Sequence, residues 1–393
     1  MTAAVLALNP GSSSLKSALF DAATLEVIER GAITGIGFDS QAIFRDGRGA
    51  PLPVNGFSRP ADIPAALDWL LSRLRGRLPA IRLAAVGHRV VHGGTRFHEP
   101  ARVDDEVLAQ LDRYSSLAPA HQPTALAAIR SVRAQLPGVP QIACFDTAFH
   151  GTRPKLAQWF ALPRALSESG VIRYGFHGLS YEYIASALPQ VVGGMARRRA
   201  IVAHLGHGAS LCAMRDLRSV ATSMGFTPLD GLMMGTRCGS LDPGVPLYLI
   251  RERGMSAVQV EALLNKQSGL MGVSGLSDDV QVLEASSDPR AGEALDMFAD
   301  RAAAAIAAHC AALGGLDVLV FTAGIGEHSA ATRARICERL AWIGLALDET
   351  ANARNAQRIS AADSAVQVWV IPTDEEVVIA RAVRKLIAGA ADA

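Results

Sequence analysis

The chain has 393 residues, half of them apolar, and a formal net charge of +1. That length exceeds one ordinary hydrophobic core, so two domains are expected, and so small a net charge supplies no global field toward nucleic acid or an anionic membrane. The five cysteines, Cys144, Cys212, Cys238, Cys310 and Cys337, are scattered without a C-x-x-C pair, which argues against a disulfide framework or a zinc site and suits a reducing cytoplasm.

No basic segment precedes an apolar core at the N-terminus, so no signal peptide is expected. Two apolar stretches, 5–8 and 17–20, bracket the polar turn Asn9-Pro-Gly-Ser-Ser-Ser-Leu-Lys16. This reads as strand, turn, strand. The turn offers backbone N–H groups, three hydroxyls and one ammonium, the donors a phosphate needs. Gly11 lets the backbone come close to a ligand. The pattern is not a Walker A loop, and a Gly/Ser-rich hairpin is also simply a hairpin. Residues 1–60 read as strands and hairpins, and 62–78 carry apolar residues at helical spacing. A strand at 83–86 runs into Gly87-His-Arg-Val-Val-His-Gly-Gly94. Residues 104–136 read as two helices interrupted at Pro119-Ala-His-Gln-Pro123, and a strand at 142–145 ends in Asp146-Thr-Ala-Phe-His150.

The second half opens with loops around Tyr174-Gly-Phe-His-Gly178 and a helix at 181–188. A strand at 200–204 meets Leu205-Gly-His-Gly-Ala-Ser210 and another strand, 211–214. Apolar strand, polar turn opening Asn/His-x-Gly, apolar strand thus occurs twice, which suggests a duplicated domain with ligand held between the copies. Strand–glycine–strand is also common in any α/β protein. Helices are expected at 243–253, 256–265, 290–313 and 329–340, and a loop at 272–279. The alanine-rich 302–316 is too short for a membrane span and reads as a buried helix. Strands at 318–321 and 366–371 end in Thr322-Ala-Gly-Ile-Gly-Glu-His328 and Pro372-Thr-Asp-Glu-Glu376, the latter before a C-terminal helix. Polar, glycine-rich turns close strand after strand, at 9–16, 87–94, 146–150, 204–210, 322–328 and 372–376, and in open α/β sheets ligands bind beyond strand ends.

Arg89 and Arg237 sit in glycine-flanked apolar settings, where a guanidinium clamps a carboxylate or phosphoryl group or makes a structural salt bridge. Asp146 and Glu375 end apolar strands and with Asn9 could hold Mg2+, although Asp374-Glu375-Glu376 before a helix equally fits an N-cap. His177 could donate to charge on a transferring phosphoryl group, or be structural.

Taken together, Asn9-Pro-Gly-Ser-Ser-Ser-Leu-Lys16, Arg89-Val-Val-His-Gly-Gly94, Phe145-Asp-Thr-Ala-Phe-His150, Tyr174-Gly-Phe-His-Gly178, Gly225-Phe-Thr-Pro-Leu229, Gly235-Thr-Arg-Cys-Gly239, Phe321-Thr-Ala-Gly-Ile-Gly-Glu327 and Ile371-Pro-Thr-Asp-Glu-Glu376 resemble the acetate kinase family, in order from residue 5 to residue 381. The resemblance implies an α/β fold of duplicated ribonuclease H-like (actin-like ATPase) domains, 1–150 plus 381–393 and 151–380, with an inter-domain active-site cleft. It implies a cytoplasmic homodimer with neither nucleic acid nor membrane as partner. The implied reaction is reversible phosphoryl transfer between ATP and acetate, giving ADP and acetyl phosphate, with Mg2+, or Mn2+ in its place. Residue by residue, Asn9 and Glu375 match the metal positions, and Asp146, His177, Arg89 and Arg237 the catalytic ones. Arg89, Val91, Ala120, Phe176 and Pro228 match the acyl site. Ser12, Ser14, Lys16, His121, His204, Gly206, His207, Gly208, Asp279, Val280, Gln281, Gly324, Ile325 and His328 match the nucleotide side.

Five positions depart from the family pattern. His207 and His328 replace asparagines, and Val280-Gln281 replaces an aromatic and an arginine lining the nucleotide. A weakened preference for ATP, or another phosphoryl donor, is expected. Ala120 replaces a leucine of the acyl pocket, so propionate or butyrate is expected to be tolerated better than usual. A non-catalytic acetyl phosphate sensor is the rival of another class.

Overall fold

The structure, a computed structural model, describes residues 2–119 and 121–389. It divides into two units, Met1–Phe149 with Asp374–Ala393, and His150–Thr373.

The first unit is built on β1 (Thr2–Pro10), β2 (Leu15–Asp21), β3 (Val27–Thr34), β4 (Gln41–Asp46), β5 (Pro51–Leu52), β6 (Ile81–Val90), β7 (Ala101–Arg102) and β8 (Gln141–Phe145). They lie in the order β5-β4-β3-β2-β1-β6-β8-β7. β1, β2 and β3 pair antiparallel, and β6 and β8 add in parallel beyond β1. Leu6, Leu8 and Val86 pack with Leu67, Leu70 and Leu71 of the helix Ile63–Arg77. Asp62 starts that helix by accepting from the Ala65 N–H, with proline in its first turn. The helix Glu375–Gly389 buries Val378, Ile379, Ala380 and Val383 and lies against β1 and β6. A β-carbon at Gly87 would overlap Ile379 and Val383, so this glycine is what lets the helix approach β6. Both faces of β1 are therefore covered, which is why 5–8 is an unbroken apolar run. Because this helix packs as one piece, the chain rejoins the first unit at Asp374 rather than at 381.

The second unit holds β9 (Ala200–Leu205), β10 (Ala209–Arg215), β11 (Arg218–Thr222), β12 (Val318–Thr322) and β13 (Gln367–Val370), in the order β11-β10-β9-β12-β13. Here too the first three strands are antiparallel and the last two add in parallel. Within each unit the order is third, second, first, fourth, fifth, with β4, β5 and β7 as additions in the first. The helix Pro289–Leu313 buries Ala291, Ala294, Leu295, Phe298 and Ile306; Asp288 caps its start, and Gly314, at φ 70, ends it in the left-handed region. Among the described residues no helix is long and apolar enough to cross a membrane.

Two local expectations are corrected. Residues 322–328 form the short helix Ala323–His328 rather than a turn. The expected loop 272–279 begins inside the helix Gly269–Ser274. β11 had no expectation, because Arg-Ser-Val-Ala-Thr lacks an apolar run.

Candidate active site

In the first unit, strand pairing delivers the polar residues to one place. Arg89 lies opposite Cys144 and Val90 opposite Phe145 in the parallel pair of β6 and β8, so Asp146 emerges beside Arg89. Its N–H donates to the Val90 carbonyl at 3.0 Å. The Arg89 Nε donates to both Asp146 oxygens at 3.0 Å, and Nη2 donates to Oδ2 at 2.6 Å. Nη1 donates to the Asn9 Oδ1 at 3.0 Å. Asn9 in turn donates through Nδ2 to Glu375 at 2.8 Å and Glu376 at 3.2 Å. Asp146, Arg89, Asn9, Glu375 and Glu376 form one hydrogen-bonded run.

Charge in this run is crowded. Burial pushes Asp146 upward, and Arg89 pulls it back. Burial works against the Arg89 charge too, but Asp146 and then Glu375 outweigh it and hold the guanidinium above its ordinary range. Burial and then the neighbouring Glu375 raise Glu376, while Lys16 offsets part of this. Asp374 pairs with Arg30 at 2.5 Å.

The first turn is tight, with the Gly11 N–H donating to the Ser14 carbonyl at 2.7 Å. Ser12 and Lys16 are exposed and Ser14 is half-buried. Val91 is buried just past β6. The segment that carries it is tied down by Gln122, which accepts from the His92 N–H and donates to the His92 carbonyl, both at 3.1 Å. His121 is the residue before the helix Gln122–Gln135 and is half-buried. Ala120 lies outside the described residues.

In the second unit β9 ends at the loop Gly206-His207-Gly208, closed by the Gly206 N–H to the Gly208 carbonyl at 3.1 Å. A β-carbon on Gly208 would lie 2.8 Å from the Arg237 Nη2 and 3.4 Å from the His177 Nε2. Its absence lets a guanidinium and an imidazole reach the loop backbone. Arg237 is anchored through Nη1 to the Pro228 carbonyl at 2.7 Å. His177 has φ 58 immediately before the helix Gly178–Val192, and its ring stacks on His204 at 4.1 Å. Phe176 is buried, its carbonyl held to the His150 Nε2 at 2.9 Å.

A cavity of about 470 Å³ opens beside this loop. It gathers Gly206, His207, Asp279, Val280, Gln281, Gly324, Ile325 and His328. Asp278, Glu284 and Ser329 also line it and carried no expectation. Nor did the hydroxyls near His177, and Glu376 carried only the expectation of a helix N-cap. The signal for those hydroxyls was present, since Ser180 and Tyr181 follow His177 at helical spacing. His207 meets Asp278 at 2.9 Å. Glu327 folds back onto the Ala323 N–H at 2.8 Å and takes the Thr373 N–H at 3.1 Å, holding the short helix in place. Among the described residues no group of three or more His, Cys, Asp or Glu is placed to hold a metal.

The model of the acetokinase family matches residues 4–381. The chain belongs to the acetokinase family. Among curated relatives, the acetate kinase of Rhodopseudomonas palustris is 51% identical over 99% of this chain and 100% of its own length. Among solved structures, the acetate kinase of Porphyromonas gingivalis matches with a TM-score of 0.86 at 35% identity, covering 98% of this chain and 100% of that one. The propionate kinase of Francisella tularensis matches with a TM-score of 0.89 at 34% identity, covering 97% and 98%. As an acetokinase-family chain, it carries the duplicated actin-like ATPase fold expected from its motifs.

Proposed function

We propose that the chain catalyses reversible phosphoryl transfer from ATP to acetate, giving acetyl phosphate and ADP. The observation that carries the reading is the Asp146–Arg89–Asn9–Glu375 run in a chain that matches the acetokinase family from residue 4 to residue 381. The acid substrate is already ionised near neutral pH, so its oxygen needs no strong base to attack. Asp146 gives both oxygens to Arg89, which suits orienting that guanidinium rather than taking a proton. Arg89 and Arg237 lower the cost of bringing an anion to an anion. His177 adds a donor for the charge that develops on the phosphoryl oxygens. The cavity beside Gly206–Gly208 takes the nucleoside, and Ser12, Ser14, Lys16, His121 and His204 serve its phosphates.

Asn9 and Glu375 would hold Mg2+, or Mn2+ in its place. The donor set fits a hard cation that keeps waters and phosphate oxygens, and the raised Glu376 marks an excess of carboxylate that a cation relieves. Bound there, it would neutralise phosphate charge. The test is acyl phosphate trapped as the hydroxamate from ATP, Mg2+ and acetate. No hydroxamate would leave a non-catalytic acyl phosphate sensor as the better reading.

A second reading rests on Ala120, which stands where the family usually has leucine. It is a short-chain acyl kinase that favours propionate or butyrate, and an acid series in kcat/KM separates the two. On the donor side, turnover with ATP, GTP and pyrophosphate tests the effect of His207, Gln281 and His328. We further propose a cytoplasmic homodimer without nucleic acid or membrane partners. Exposed Leu241, Val245, Leu247, Tyr248 and Ile250 supply an apolar surface for self-association, and sedimentation measures it.

A further inference from the structure

The two stacked imidazoles of the second unit are held alike. The His177 Nδ1 meets the Ser210 Oγ at 2.8 Å, and the His204 Nδ1 meets the Ser180 Oγ at 2.8 Å. A β-carbon on Gly208 would be 3.4 Å from the His177 Nε2, and one on Gly206 would be 3.9 Å from the His204 Nε2. Both rings thus have a serine at Nδ1 and turn Nε2 toward one glycine loop. The Ser210 Oγ also meets the Tyr181 hydroxyl at 2.5 Å, and Ser210 and Tyr181 are fully buried.

We infer that Tyr181 and Ser210 are positioning residues that fix His177 as the Nε2–H tautomer, so that a neutral imidazole donates to the phosphoryl group in transfer. The proton count sets the direction. A phenol is a better donor than an aliphatic hydroxyl, so Tyr181 gives its proton to Ser210. Burial pushes the phenol well above its usual range, so it keeps a proton to give. Ser210 has one proton, which then goes to the His177 Nδ1. The remaining ring proton sits on Nε2, next to Gly208. Phosphoryl oxygens only accept, so the other tautomer would aim a lone pair at them. Rings stacked at 4.1 Å disfavour charge on both at once, and a neutral His177 still offers a donor at Nε2.

The inference rests on the proposed kinase reaction only for its consequence, because the tautomer is read without substrate. Ring-15N-labelled protein gives the nitrogen shifts, with His177 assigned by loss of its signals in His177→Asn. The expected result is a pyrrole-like Nε2 and a pyridine-like Nδ1. Tyr181→Phe and Ser210→Ala should populate the other tautomer, and Ser210→Thr, which keeps the hydroxyl, should restore the first. With acetate, kcat should fall roughly tenfold to a hundredfold in the first two variants, up to the usual scale for losing one such donor, at unchanged acetate KM. A pyrrole-like Nδ1 in the parent protein overturns the inference, as does a His177 pattern indifferent to Tyr181→Phe and Ser210→Ala in folded protein. A parent protein that makes no acyl phosphate but shows the expected shifts refutes the kinase reading and leaves the tautomer standing.

Discussion

Arg89 grips Asp146 through Nε and Nη2 and keeps Nη1 for Asn9. One guanidinium thereby aligns a carboxylate behind it and an amide beside it. The Asp146 side chain is 1% exposed and that of Arg89 17%, so removing either leaves a charge with little water to solvate it.

Asp146→Ala should therefore cost stability as well as rate. Breaking a buried pair by deleting one partner costs about 3–5 kcal/mol. Urea unfolding should show that loss, and kcat should fall roughly a hundredfold or more as Arg89 loses its alignment. A variant as stable as the parent would mean that Arg89 finds another partner.

Arg237→Ala should lower kcat at least about a hundredfold, the scale for one lost donor to developing charge. Far-UV circular dichroism should stay unchanged. Near-parental turnover would remove Arg237 from the reaction.

Glu376 carries a pH signature. Burial and then Glu375 raise it above its ordinary 4.5. A carboxyl raised in the folded state binds its proton more tightly there than in the unfolded chain, so stability falls as pH rises from the unfolded value through the folded one. Glu376→Gln keeps an acceptor for Asn9 and removes the charge. It should be more stable than the parent near neutral pH, with the gain vanishing well below the ordinary glutamate range. Thermal unfolding in metal-free buffer across that window checks the sign. Added Mg2+ should narrow the gap, because a cation offsets the same repulsion.

Chain length should answer to residue 120. Ala120→Leu should reduce kcat/KM for propionate relative to acetate by about fourfold for the added methylene, from ~0.8 kcal/mol per buried CH₂. An unchanged ratio would mean that this position does not line the acyl site.

What could be read from the chain, and what could not, follows from range. The apolar runs that became β1, β6, β8, β9 and β12 were visible because buried strands are continuous in sequence. Their polar ends pointed to Asn9, Arg89 and Asp146. Glu375 and Glu376 looked alike as N-cap acids, because the helix register that turns both toward Asn9 is set by packing of Ile379 and Val383 at Gly87. Residues 322–328 read as a turn because Gly324 and Gly326 interrupt them. The helix there depends on Glu327 reaching back to the Ala323 N–H and on Ala323 at φ 64, and no local propensity predicts either.

Arg333 joins stability to the nucleoside cavity. It is fully buried in the second unit, and burial lowers its pKa. Its Nη1 donates to the Gly326 carbonyl at 2.9 Å and the Glu327 carbonyl at 3.0 Å. Its Nε donates to the Asn352 Oδ1 at 2.8 Å, and Nη2 to the Asn352 carbonyl at 3.0 Å. The two Nη1 bonds satisfy carbonyls of the helix that carries Gly324, Ile325 and His328 on the cavity wall. Arg333→Met keeps much of the volume but leaves those acceptors unmet, at about 1–3 kcal/mol for each buried group. The expected outcome is a lower unfolding midpoint and a several-fold higher KM for ATP, with the KM for acetate unchanged. If the two KM values rise together, Arg333 supports the unit as a whole rather than the nucleoside wall.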